Sequence, residues 1–175
     1  MKARSIFRKI FSASRQSDET TRSILLVDDD ESLCDNLKDI LEAEGYETYC
    51  APTAGEASRM AKQLRPCTAL VDLKLPDKPG TALLSELKQM NPDCVCILMT
   101  AYADVDSAVA ALEKGAFYYL QKPIRPAELV ELVELAFETV RLREEKKQSE
   151  EQLRARNREL EETIARLRKI MDQQQ

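Results

Sequence analysis

Five residues with useful chemistry stand where short apolar runs end. Asp28 and Asp29 follow "ILLV", Asp72 follows "CTALV", Thr100 closes "VCILMT" and Lys122 follows "AFYYLQ". Such runs suit buried strands, and a carboxylate carried out of a core costs free energy unless something pairs with it. Three carboxylates brought together repel one another, and nothing near them in sequence neutralises them all. A hard divalent cation resolves the conflict. Mg²⁺ (or Mn²⁺) takes oxygen ligands, commonly a couple of carboxylates with waters and a phosphate oxygen. Lys122 adds a mobile positive charge and Thr100 a hydroxyl, so the set is suited to holding a phosphoryl group.

The elements that must position these residues alternate along the chain. Apolar runs at 23–28, 47–51, 67–72, 95–100 and 116–121 read as strands. Between them, helical spacing is expected over 31–44, 55–64, 80–90 and 104–115, and a last helix starts after Pro126. Gly45 and Gly115 are natural helix ends, and Asp30 suits an N-cap. Five strands alternating with five helices predict an α/β fold, a doubly wound five-stranded parallel sheet of flavodoxin-like order 2-1-3-4-5. Ligands in such sheets bind beyond the carboxyl ends of the strands, where Asp28, Asp29, Asp72, Thr100 and Lys122 stand.

Composition narrows the chemistry. The 175 residues contain no His and no Trp, which excludes a His-ligated metal, a His base and a phosphohistidine. Cys34, Cys50, Cys67, Cys94 and Cys96 fit no ligand spacing and read as buried, reduced thiols of a cytoplasmic protein. No apolar run is long enough to span a bilayer. The net charge of −5 argues against nucleic acid as the main ligand. Residues 1–22 form a basic N-terminal segment, flexible or amphipathic, with peripheral membrane contact as its less favoured use.

The chain resembles the receiver domain of two-component response regulators. The resemblance covers about residues 23–140 and rests on "ILLVDDDESL", "ALVDLKLPDKPG", "ILMTAY" and "GAFYYLQKP", in order and at the family's spacing. It implies that Asp72 is the phosphoacceptor, that Asp28 and Asp29 hold Mg²⁺ with Asp72, and that Lys74 offers the metal its backbone carbonyl. It further implies that Thr100 and Lys122 contact the phosphoryl oxygens, with Tyr119 as a switch aromatic relaying the change to the last helix. The phosphoryl group is then donated by a histidine kinase or histidine phosphotransfer protein. The chain is a phosphoacceptor rather than an enzyme, beyond self-catalysed phosphotransfer and slow autodephosphorylation. Lys74 and Tyr102 stand where the family tunes water access, and this bulky pair implies a long-lived phosphoryl group. The loop "PDKPG" departs from the family in carrying Lys78-Pro79 where smaller or apolar residues are commoner.

With the receiver assigned to 23–142, residues 143–175 form a helical extension. Leu129, Val133, Ala136 and Val140 suit the sheet, while Leu132, Leu135, Thr139 and Leu142 make a second stripe expected to lie uncovered. Further on, Leu153, Asn157, Leu160, Ile164, Leu167 and Met171 recur with heptad spacing, Leu at d and Asn157, Ile164 and Met171 at a. This pattern predicts a parallel coiled coil and a homodimer through the C-terminal helix. The two stripes differ by a four-residue stutter.

Two other readings compete. The chain is alternatively the N-terminal regulatory module of a longer sensor kinase, cyclase or ATPase. A flavodoxin-like nucleotide- or flavin-binding protein is the alternative of another class. It lacks a Gly- or Ser/Thr-rich phosphate loop after the first strand, where "VDDDES" repels phosphate unless metal intervenes.

Overall fold

The computed structural model describes residues 22–101 and 105–172. The expectations for residues 1–21 and Tyr102 lie outside the described residues, as does residue 104, with which the fourth helix was expected to begin.

The chain runs β1 (Ser23–Val27), α1 (Glu31–Ala43), β2 (Glu47–Ala51), α2 (Ala54–Leu64), β3 (Thr68–Asp72), α3 (Gly80–Met90), β4 (Val95–Thr100), α4 (Val105–Glu113), β5 (Tyr118–Gln121) and α5 (Pro126–Asp172). All strand pairs are parallel, and the sheet order is β2-β1-β3-β4-β5. The three inner strands are buried along their whole length, as continuous apolar runs require when both faces are covered. β5, at one edge, exposes Tyr118 and Gln121.

Successive strand residues point to opposite faces, so each inner strand feeds two cores. Leu25, Val27, Ala69, Val71 and Leu98 pack with the alanines of α2 and with Leu83, Leu84 and Leu87 of α3. Ile24, Leu26, Leu70, Ile97 and Met99 pack on the other face with Leu37 and Leu41 of α1 and Leu129 and Val133 of α5. The expected helix caps hold. Asp30 accepts the Leu33 N–H at 3.0 Å. Gly45, at φ +89°, ends α1 while Tyr46 N–H returns to the Leu41 carbonyl at 3.1 Å. Tyr46 then stacks on Phe137 of α5 with ring centroids 5.0 Å apart, and Arg22 lies over its ring.

Two expectations need correction. Leu132 does not belong to an uncovered stripe; it is buried in the core beside α1. The sheet-facing arc of α5 is wider than a narrow stripe and takes in this residue. Nor are all five cysteines buried: Cys50 and Cys67 are half-buried, although all five are free thiols.

Candidate functional site

β1 and β3 lie side by side with Val27 opposite Val71. Asp28 and Asp72 are the next residues along each strand, so the ladder itself delivers two carboxylates to one spot. Both are buried, at 2% and 8% exposure. Asp29 is exposed beside them, and single oxygens of Asp28, Asp29 and Asp72 lie within 4.8 Å of one another. Lys122 reaches in from the loop after β5. Its Nζ is 2.7 Å from Asp72 Oδ2 and 2.5 Å from Asp28 Oδ2. The backbone holds the lysine there: its N–H donates to the Thr100 carbonyl at 2.7 Å, and Lys122-Pro123 is a cis peptide bond.

The other carboxylate oxygens accept local amides. Asp28 Oδ1 accepts the Asp30 N–H and Asp72 Oδ1 the Lys74 N–H, each at 3.1 Å. Burial pushes the Asp28 carboxyl above its usual range; Lys122 and the Asp30 amide oppose this, and Asp72 adds to it. Burial by itself lowers the Lys122 ammonium, but Asp28 and Asp72 together hold it above the usual lysine value. The lysine is thus charged, and one ammonium faces three carboxylates. A divalent cation that prefers oxygen donors fits the remaining deficit. Asp28 Oδ2 is itself buried against the Lys122 ammonium.

Thr100 is buried at the last residue of β4, opposite Gln121. Tyr119 is half-buried on β5, opposite Leu98, and packs against the core that holds Leu98. Lys74 is exposed, in the loop after Asp72. Asp28, Asp29, Asp72 and Lys122 thus converge directly, while Thr100 and Lys74 are tied to the cluster through backbone atoms. The heptad residues Leu153, Leu160, Ile164 and Leu167 lie far along α5 and are exposed.

Two residues that shape this loop escaped sequence reasoning. Gly80 opens α3 with its N–H on the Leu73 carbonyl at 2.9 Å. A Cβ there overlaps the Asp72 carbonyl oxygen and falls 2.9 Å from its carbon and 3.1 Å from Leu73 Cα. These are backbone atoms with no flexible end to yield. Gly80→Ala is therefore expected to cost about 1–3 kcal/mol in urea unfolding and to displace the carboxylate of Asp72.

Asp77 clamps the same loop to another helix. Its two carboxylate oxygens accept the N–H groups of Ala54 and Gly55 at 3.0 and 2.8 Å, beside the Thr53 cap on Glu56. These backbone bonds hold the Asp77 carboxyl below its ordinary value of 3.8. A depressed carboxyl contributes stability above the unfolded value and loses it as pH falls through the folded one. Asp77→Ala should therefore lower Tm at neutral pH, and the gap from wild type should narrow as pH falls below 3.8. Thermal unfolding across pH checks this.

Known proteins share this arrangement of elements. Residues 24–134 match the response regulator receiver domain. The chain belongs to that family. Receivers are phosphoacceptor signalling domains that bind Mg²⁺ at an acidic pocket and interact with histidine kinases. The chain is similar to the photosynthetic apparatus regulatory protein RegA of Cereibacter sphaeroides, 38% identical over 102 residues, covering 58% of this chain and 55% of RegA. It is also similar to the regulatory protein AtoC of Escherichia coli, 34% identical over 122 residues, covering 70% of this chain and 26% of AtoC. The chain thus spans about half of RegA and about a quarter of AtoC. Among solved structures, a CheY-like receiver from Methanospirillum hungatei superposes with a TM-score of 0.64 at 41% identity, covering 67% of this chain and 94% of that one. The beryllofluoride-activated NtrC4 receiver dimer superposes with a TM-score of 0.66 at 36% identity, covering 68% of this chain and 98% of that one.

Proposed function

We propose that this receiver is switched by phosphoryl transfer to Asp72 from a phosphohistidine of a histidine kinase or phosphotransfer protein. A carboxylate oxygen of Asp72 attacks phosphorus, the P–N bond breaks, and the imidazole leaves with the electron pair. The observation that carries this reading is the convergence of Asp28, Asp29 and Asp72 at the strand ends, with the Lys122 ammonium against Asp28 and Asp72. The carboxylates of Asp28, Asp29 and Asp72 and the Lys74 carbonyl are the groups that would hold Mg²⁺. When bound, the ion neutralises charge on the transferred oxygens. Lys122 takes up further negative charge as it develops, and Thr100 binds a phosphoryl oxygen from the neighbouring strand. Thr100 and Tyr119 then relay the change to α5. Lys74 and Tyr102 restrict in-line water and slow dephosphorylation.

The assignment of 23–142 to the receiver and 143–175 to an extension of separate purpose belongs to the same reading, as does a cytoplasmic location. A second reading makes the chain the regulatory part of a longer protein. It is favoured by one observation: the match to AtoC covers 26% of that relative.

Amide NMR with Mg²⁺ and beryllofluoride, a phosphoryl mimic, tests the switch. Shifts are expected at Asp72 and also at Thr100, Tyr119 and the start of α5, and all should vanish in Asp72→Asn. Shifts confined to the neighbours of Asp72 contradict the relay.

A further inference from the structure

The free thiols stand in unlike surroundings. Cys94 and Cys96 share one strand, β4, with their sulfurs 3.9 Å apart, and both are all but closed to solvent. Two steps along an extended strand span about 6.6 Å, near the upper limit of the Cα separation that a disulfide accepts. Their side chains also leave one face in parallel rather than toward each other. Cys67 is half-buried, and burial, with Glu144 adding to it, pushes its thiol up.

Cys34 and Cys50 differ on each point. They come from different elements, Cys34 from the first turn of α1 and Cys50 from β2, an edge strand, where it stands opposite Leu26. Both cysteines pack with Leu26 in the core beneath α1. The two sulfurs meet there. The Cys34 S–H has two acceptors, the Asp28 carbonyl at 3.6 Å and the Cys50 sulfur. Cys34 is buried, whereas Cys50 is only half-buried at the sheet edge. The hydrogen bond from Cys34, helped by the Lys38 ammonium, brings the Cys50 thiol down to about 7, while burial, Asp35 and Glu42 oppose it. A partly exposed thiol that is partly ionised at neutral pH is the kind that oxidants attack.

We propose that Cys50 and Cys34 form an oxidation site, where a hydroperoxide converts the two thiols into an intramolecular disulfide that a dithiol reverses. The Cys50 thiolate attacks a peroxide oxygen, so that an S–O bond forms and the O–O bond breaks. The alkoxide leaves with the electron pair and takes a proton from water. The sulfenic acid on Cys50 is then attacked by the Cys34 sulfur. An S–S bond forms, the S–O bond breaks, and hydroxide leaves as water with the Cys34 proton. Two thiols and one hydroperoxide thus give a disulfide, an alcohol and a water.

The site has a consequence for the acidic cluster. Oxidation removes the S–H that Cys34 donates to the Asp28 carbonyl and ties the first turn of α1 to β2. Asp28 and Asp29 stand between these two elements, so the oxidised chain should bind Mg²⁺ several-fold more weakly. This coupling rests on the phosphoacceptor reading; the oxidation site does not.

The full chain, treated with sub-millimolar hydrogen peroxide in chelator, alkylated and digested with trypsin, tests the proposal. Cys34 and Cys50 fall in separate peptides, 23–38 and 39–59, so their disulfide joins the two, and dithiothreitol should release them. Cys34→Ser should leave Cys50 as a sulfenic acid that dimedone traps, and Cys50→Ser should leave Cys34 reduced. A wild type in which Cys67, Cys94 or Cys96 is oxidised first, or in which Cys50 links to a second chain, overturns the proposal. So does a wild type in which peptides 23–38 and 39–59 stay reduced. Calorimetric titration with Mg²⁺ compares the two forms. Equal affinities overturn the coupling, whereas a reduced chain that binds no Mg²⁺ counts against the metal reading instead.

Discussion

Phosphoryl uptake by the Lys122→Met variant is expected to fall by a factor on the order of 10²–10³, the usual loss when one charge-stabilising group is removed. Methionine keeps most of the length and flexibility of the lysine stem and removes the charge together with its N–H donors. That charge lies 2.7 Å from Asp72 and 2.5 Å from Asp28, beside the carboxylate proposed to receive the phosphoryl group. Arginine should not restore the rate, because its planar fork does not occupy the compact point position of the ammonium. The same variant should lose about 1–3 kcal/mol of stability in chelator, since removing one partner of a buried ion pair leaves the others uncompensated. Added Mg²⁺ should return most of that loss. Quenched-flow labelling with acetyl phosphate measures the rate, and urea unfolding with and without chelator measures the stability. A rate within a few-fold of wild type contradicts the role given to Lys122.

Asp28→Asn should produce two effects of opposite sign. Without metal, the variant should be more stable than wild type by roughly 1–2 kcal/mol, as when a buried charge is replaced by a neutral group of its size. Burial already disfavours the ionised Asp28, and Lys122 keeps Asp72 as a partner when the charge is gone. Mg²⁺ affinity should fall by about a hundredfold, because one of three convergent carboxylates is lost. Urea unfolding in chelator and calorimetric titration with Mg²⁺ report the two effects separately. A variant less stable than wild type without metal contradicts the view that these carboxylates are held together at a cost.

Much of this site is legible in the sequence because the parallel sheet converts strand ends into neighbours. Asp72 and Lys122 are fifty residues apart, yet each follows an apolar run, and the expected strand order suffices to bring them together. The caps at Asp30 and Gly45 are legible for a local reason: each satisfies helix-end groups within its own turn. Gly80 and Asp77 are different. The need for glycine arises where the chain folds back over Asp72 after β3, a close approach that no local pattern records. Asp77 bonds to amides at Ala54 and Gly55, 23 and 22 residues away, and looks like any loop acid when read alone. Leu132 was misplaced because a strict stripe is narrower than the arc a helix buries on a sheet.

The most direct test is to treat the wild-type chain with acetyl phosphate and Mg²⁺, then locate the adduct by intact and peptide mass spectrometry. The account predicts one phosphoryl group per chain, carried on Asp72, labile to hydroxylamine as an acyl phosphate is, and absent in chelator. A phosphoryl group on another residue, or no adduct on a folded, Mg²⁺-loaded chain, contradicts it.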